Sequence, residues 1–150
     1  SRGCKTCVAA AAQTNRRVAA LVLIDPVDKT NKDPSTVLPE LEKLKVPAAI
    51  LGSGVSFEDC APTDSNYLRF AEAVASSSTP RLVGFMGRAG HLQFLDSRSD
   101  TLVNVCLAGD DEDAAVQQVA LETTKAWVGA ALTSQAQQVS DARKGAVASL

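Results

Sequence analysis

The sequence predicts an α/β fold built on a parallel sheet. Three observations carry this reading. Short, predominantly apolar runs recur along the chain, at Val18–Ile24, Pro47–Gly54 and Pro80–Gly87. Segments rich in Asp, Asn, Gly or Pro close these runs. Between the runs lie stretches with the composition or apolar spacing of helices. Strands separated by helices pair in parallel through right-handed crossovers.

The elements follow in order. Cys4 to Gln13 is dense in alanine and free of Gly and Pro, so it predicts a helix. "TNRR" turns the chain. "VAALVLI" (Val18–Ile24) is too short for a typical helix and fits a strand buried on both faces. It ends at the polar loop "DPVDKTNKDP". "TVLPELEKLKV" predicts a brief helix leading into the second strand, "PAAILGSG". A connector runs from Val55 to Thr63. Asn66–Ser77 is a helix by the spacing of Leu68, Phe70, Ala71 and Val74. "PRLVGFMG" is the third strand, and "RAGHLQFLD" leaves it as a loop and turn. The acidic run Asp110–Asp113 marks a helix start, where negative charge is favoured. Val116, Val119, Thr123, Trp127 and Ala130 continue that helix. Residues 135–150 read as a polar tail, frayed or disordered. No strand precedes the first helix, and the chain opens on Ser1 rather than Met. Residues 1–134 are therefore expected to be the C-terminal half of a single larger doubly wound domain.

Bulk properties narrow the function. The chain has 150 residues, 45% hydrophobic and 21% charged, which is globular composition rather than disorder. A net charge of −2 offers no general attraction for phosphate backbones, and 4% aromatics supply few stacking surfaces. Nucleic acid is thus not an expected partner. No apolar run approaches the ~20 residues that span a bilayer. Four cysteines (Cys4, Cys7, Cys60, Cys106) leave their pairing open. The Cys4–Cys7 CxxC lacks two further well-spaced ligands for zinc, so it reads as small residues on a buried helix, and neither metal nor cofactor is expected.

Doubly wound sheets gather ligands and catalytic groups at the carboxyl ends of their strands. Asp25 and Asp28 follow the first strand. Ser53, Ser56, Glu58 and Asp59 follow the second. Arg88 and His91, the single histidine, follow the third. Ser1 stands just before the first helix, with Gly3 two residues on. Ser, acid, His is the chain order of the α/β-hydrolase relay. Serine needs a base to take its proton, histidine serves near neutral pH, and a carboxylate holds the imidazole. The backbone N–H of Arg2, next to Ser1, would be an oxyanion donor.

Four stretches carry a resemblance: "SRGCKT", "LVLIDPVDKT", "CAPTDSNYLRF" and "GHLQFLD". Together, and in this order, they resemble chlorophyllase, a serine esterase of the α/β-hydrolase fold. That family carries GHSRGGKT at the nucleophile, DPVDG after a strand, and GHLDMLD around the catalytic histidine. The resemblance implies Ser1 as nucleophile, Asp25 as acid and His91 as base. It places the acid one strand earlier than most of the superfamily, which leaves Glu58 and Asp59 as rivals, with Asp28 a lesser one. Cys4 and Gln93 stand where the family has Gly and Asp. The implied reaction is hydrolysis of the phytol ester of chlorophyll or a related small-molecule ester. The implied setting is the chloroplast, with peripheral contact to pigment-bearing membranes; a cytoplasmic location is the alternative. Phe57, Phe85, Met86 and Phe94 could line a site for phytol or the macrocycle. Other readings stand beside this one: a general esterase of the same fold, an N-terminal-nucleophile hydrolase, or a non-catalytic module.

Overall fold

The computed structural model describes residues 2–14, 17–55, 60–76, 78–96 and 106–148, with side chains through residue 134. The elements are α1 (Arg2–Gln13), β1 (Leu21–Ile24), α2 (Leu38–Lys43), β2 (Ala48–Val55), α3 (Tyr67–Ala75), β3 (Arg81–Gly90), a 3₁₀ turn (His91–Phe94) and α4 (Asp113–Ala148). β1, β2 and β3 form a parallel sheet in that order. The fold is α/β, in the predicted order of helices and strands.

Side-chain alternation along the strands divides the core. Leu21 and Leu23 of β1, with Ala48 and Ile50 of β2, pack with Cys4 and Val8 of α1, Leu41 of α2, and Tyr67, Phe70 and Val74 of α3. Right-handed crossovers place α2 and α3 on one side of a sheet that grows in one direction. α4 lies against β1 and β2, with Val116 and Ala120 buried. Its helical backbone continues to Ala148, through the polar stretch that begins at 135. No helix among the described residues is long and apolar enough to cross a membrane.

Among the boundaries that differ from expectation, three have a clear local reason. β1 starts at Leu21, not Val18. Its N–H donates to the Pro47 carbonyl at 2.8 Å, and proline has no N–H to continue the ladder. β3 runs past Gly87 to Gly90, because its pairing with β2 slips between Ser53↔Met86 and Val55↔Gly90. That irregularity swings the end of β3, and His91 after it, back over the sheet. α3 begins at Tyr67, with the Asn66 side chain accepting from the Leu68 N–H at 3.1 Å as an N-cap.

Close packing at β2 depends on glycine. A Cβ on Gly52 would meet the Tyr67 ring at 2.2 Å. Tyr67 in turn stacks on Phe85, with centroids 6.4 Å apart. A disulfide joins Cys60 to Cys106 with Cα atoms 5.3 Å apart. It closes a 46-residue separation, for which loop-closure entropy gives about 4 kcal/mol. The CxxC cysteines are not bridged. Cys4 is buried and Cys7 exposed.

Gly52→Ala should destabilise the fold by about 1–3 kcal/mol, because the Tyr67 ring has nowhere to go. Gly129→Ala, at an open position of α4 with nothing within 4 Å, should stabilise it by about 0.4–1 kcal/mol. Urea unfolding midpoints compare the two directly.

Candidate active site

Asp25 directly follows β1 with φ 42°, the one non-glycine residue with positive φ among those described. A left-handed backbone costs a non-glycine residue about 1–2 kcal/mol, and Asp tolerates it better than most. The proline that follows narrows the choice further. Such a conformation persists only where the surroundings over-determine it. Here they do. The Asp25 N–H donates to the Leu51 carbonyl at 2.6 Å. Its Oδ1 accepts the Ser53 N–H at 2.8 Å, and its Oδ2 accepts the Ser53 hydroxyl at 2.8 Å. Oδ2 also meets His91 Nδ1 in a short contact.

The electrostatics decide the proton. Burial opposes ionisation of Asp25, whose side chain is 3% exposed. The hydrogen bond and charge of His91 and both bonds from Ser53 outweigh it and hold the carboxyl below its ordinary value. An ionised carboxylate can only accept, so the proton of this contact sits on Nδ1. In the neutral ring this places the lone pair on Nε2, the tautomer a general base needs. Tyr67 responds to the same charge: burial first, then the Asp25 carboxylate, pushes its hydroxyl pKa up.

His91 is aimed by Gln93. This amide is buried and makes four bonds. Its Oε1 accepts from the Gly90 N–H at 2.7 Å and the Gly109 N–H at 2.9 Å. Its Nε2 donates to the Asp111 carbonyl at 2.5 Å and Asp113 Oδ1 at 2.9 Å. The turn carrying His91 is thereby stapled to the start of α4. An Asp at 93 could accept but not donate, so glutamine serves both directions of this staple. The exposed Arg88–Asp111 pair at 2.8 Å adds little by comparison.

The other expected residues separate. Asp28 is buried, but its Oδ1 accepts the Val37 N–H at 2.9 Å, and among the described residues it makes no bond to His91. Its Oδ2 has no partner among them. Ser1, Glu58 and Asp59 lie outside the described residues, as do Ser56 and Phe57. Arg2 opens α1, where the first N–H groups of a helix have no intrahelical partner. Phe85 is 64% exposed on β3, and Met86 and Phe94 are half-buried. The 620 Å³ cavity lined by Val18, Pro47, Pro80 and Trp127 lies at the amino ends of the strands, away from Asp25 and His91. Proximity to the buried Asp25–His91 contact, rather than cavity size, therefore marks the candidate site. Ser53 is the partner that strand-end placement brought into view without giving it a role; its signal was its position at the end of β2, level with the acid.

A parallel sheet with an ionised acid and a histidine joined at its carboxyl edge belongs to the α/β class that places chemistry at strand ends. The chain is a member of the chlorophyllase family, whose model, described as Chlorophyllase, matches residues 1–147. Membership makes it a chlorophyllase-like hydrolase in general terms. No curated protein and no solved structure matched the chain.

The depressed pKa of Asp25 has a stability consequence. A carboxyl held below its unfolded value of about 3.9 adds stability above that pH and loses it as pH falls through the folded value. Asp25→Asn should lower the urea midpoint at pH 7. The gap to the unaltered protein should narrow as pH drops below 4.

Proposed function

We propose that this chain carries the catalytic relay of a chlorophyllase, with Ser1 as nucleophile, His91 as base and Asp25 as acid. The observation that supports it is the buried contact between the Asp25 carboxylate and His91 Nδ1. His91 Nε2 takes the Ser1 hydroxyl proton as Oγ attacks the ester carbonyl of the pigment's propionate side chain. Asp25 stabilises the imidazolium that forms. The N–H of Arg2 faces the developing oxyanion. Collapse breaks the C–O bond to phytol, and His91 returns its proton to the departing alcohol. Water, deprotonated by His91, then attacks the acyl-serine; chlorophyllide is released and Ser1 is restored. The magnesium of such a substrate belongs to the pigment, and the steps use no other metal. Work on a thylakoid pigment would set the protein in the plastid, in peripheral contact with pigment-bearing membranes.

The same relay serves any ester, so substrate class is tested separately. In the complete protein, a fluorophosphonate should label Ser1, and His91→Ala should abolish labelling. Asp25→Asn should lower kcat about 10³–10⁴-fold through loss of the tautomer. Persistent labelling in His91→Ala would contradict the relay. Hydrolysis of chlorophyll as well as p-nitrophenyl butyrate supports the pigment reading; turnover of the butyrate alone makes it a general esterase.

A further inference from the structure

Lys5 stands on α1, one turn from its start, and its side chain is 11% exposed. Its ammonium spends all three hydrogens on one short segment. Nζ donates to Asp33 Oδ2 at 2.8 Å, to the Ser35 carbonyl at 2.6 Å and to Ser35 Oγ at 2.8 Å. Asp33 and Ser35 are themselves locked together. The Ser35 hydroxyl donates to Asp33 Oδ1 at 2.6 Å, and the Ser35 N–H does so at 3.2 Å. The bonds from Lys5 and then Ser35 bring the Asp33 carboxyl down to about 2.

That segment is the loop Asp25 begins. Thr30 and Asp33 exchange two backbone bonds, at 2.9 and 3.0 Å. Asp28 Oδ1 closes the loop on the Val37 N–H. Beside Lys5, the Cys4 thiol donates to the carbonyl of Ile24, the residue before Asp25, at 3.3 Å. Two adjacent residues of α1 thus hold the acid's strand end and the acid's loop.

Burying an ammonium is expensive, and replacing a buried ion pair by apolar residues of similar volume is often neutral or stabilising. Stability does not account for a lysine here, whereas directional anchoring does. We infer that Lys5 is a positioning residue, which fixes the loop of Asp25 against the helix that begins next to Ser1 and so sets the spacing between acid–base pair and nucleophile. Lys5 touches neither substrate nor reacting atoms. The inference rests on the relay proposed above. Misplacement of reacting groups by about 1 Å can cost 10²-fold in rate, and Asp25, with its left-handed backbone, has a conformation to relax into.

The test is Lys5→Met in the complete protein, assayed with p-nitrophenyl butyrate. Expected is a folded variant whose kcat falls about 10- to 100-fold, with KM within about twofold. The downfield proton resonance of His91 Nδ1–H should broaden or move upfield in parallel. Lys5→Arg, which keeps the charge, should recover part of the loss. An unchanged kcat, or a changed KM with kcat intact, overturns the inference. Should Lys5→Met fail to fold, Asp33→Asn takes its place at the more exposed end of the pair. A reduced kcat there supports the positioning role, and a wild-type kcat overturns it. Should the unaltered protein hydrolyse no ester, the relay reading fails, and the Nδ1 resonance alone decides: displaced in the variant it supports the anchor, undisturbed it overturns it.

Discussion

The ionised carboxylate of Asp25 is the constraint around which the site is arranged. It sits buried at the end of β1 on a backbone that an L-residue adopts reluctantly. Its charge is tolerable there because Ser53 and His91 supply three donors. Two of these donors come from the end of β2 and the third from the turn that follows β3. The parallel sheet is therefore the device that brings them together, since it puts all carboxyl ends on one edge. The slipped register between β2 and β3 completes the arrangement by returning His91 toward β1.

The remaining polar side chains at this edge serve that pair from a distance. Gln93 fixes the turn of His91 to α4. Lys5 fixes the loop of Asp25 to α1. The apolar layer of Phe70, Leu23, Ile50 and Val8 holds α1 and α3 against the sheet, so these anchors have rigid supports. Gly52 leaves room for Tyr67, whose ring then lies beside the acid's end of the sheet.

Much of the fold was legible because its signals are local. Val18–Ile24 and Pro47–Gly54 are apolar runs that only a two-sided strand could use, and the helices between them follow apolar spacing. The boundaries were less legible, since they depend on pairing partners. Nothing within Val18–Ala20 announces that Pro47 ends the ladder opposite. β3 lies at one edge of the described sheet with Leu82, Val83 and Phe85 exposed, although its composition resembles that of the inner strand β2. At the site, Asp25 and His91 could be picked out by strand-end placement and by DPVD and GHL in the resemblance. The same motif ranked Asp28 below Asp25, but only the geometry shows Asp28 turned to the Val37 N–H. The roles of Lys5, Ser53 and Gln93 escaped for a common reason. Each is a polar residue with partners 16 to 30 positions away in the chain. The Cys60–Cys106 bridge was one pairing among several until the fold brought the two together.

The most direct test of this account is the protonation of the His91 imidazole, followed by long-range proton–nitrogen NMR across neutral pH. The account predicts a neutral ring protonated on Nδ1, with a downfield Nδ1 proton that disappears in Asp25→Asn. A neutral ring protonated on Nε2, or an Nδ1 proton unaffected by that substitution, would contradict it.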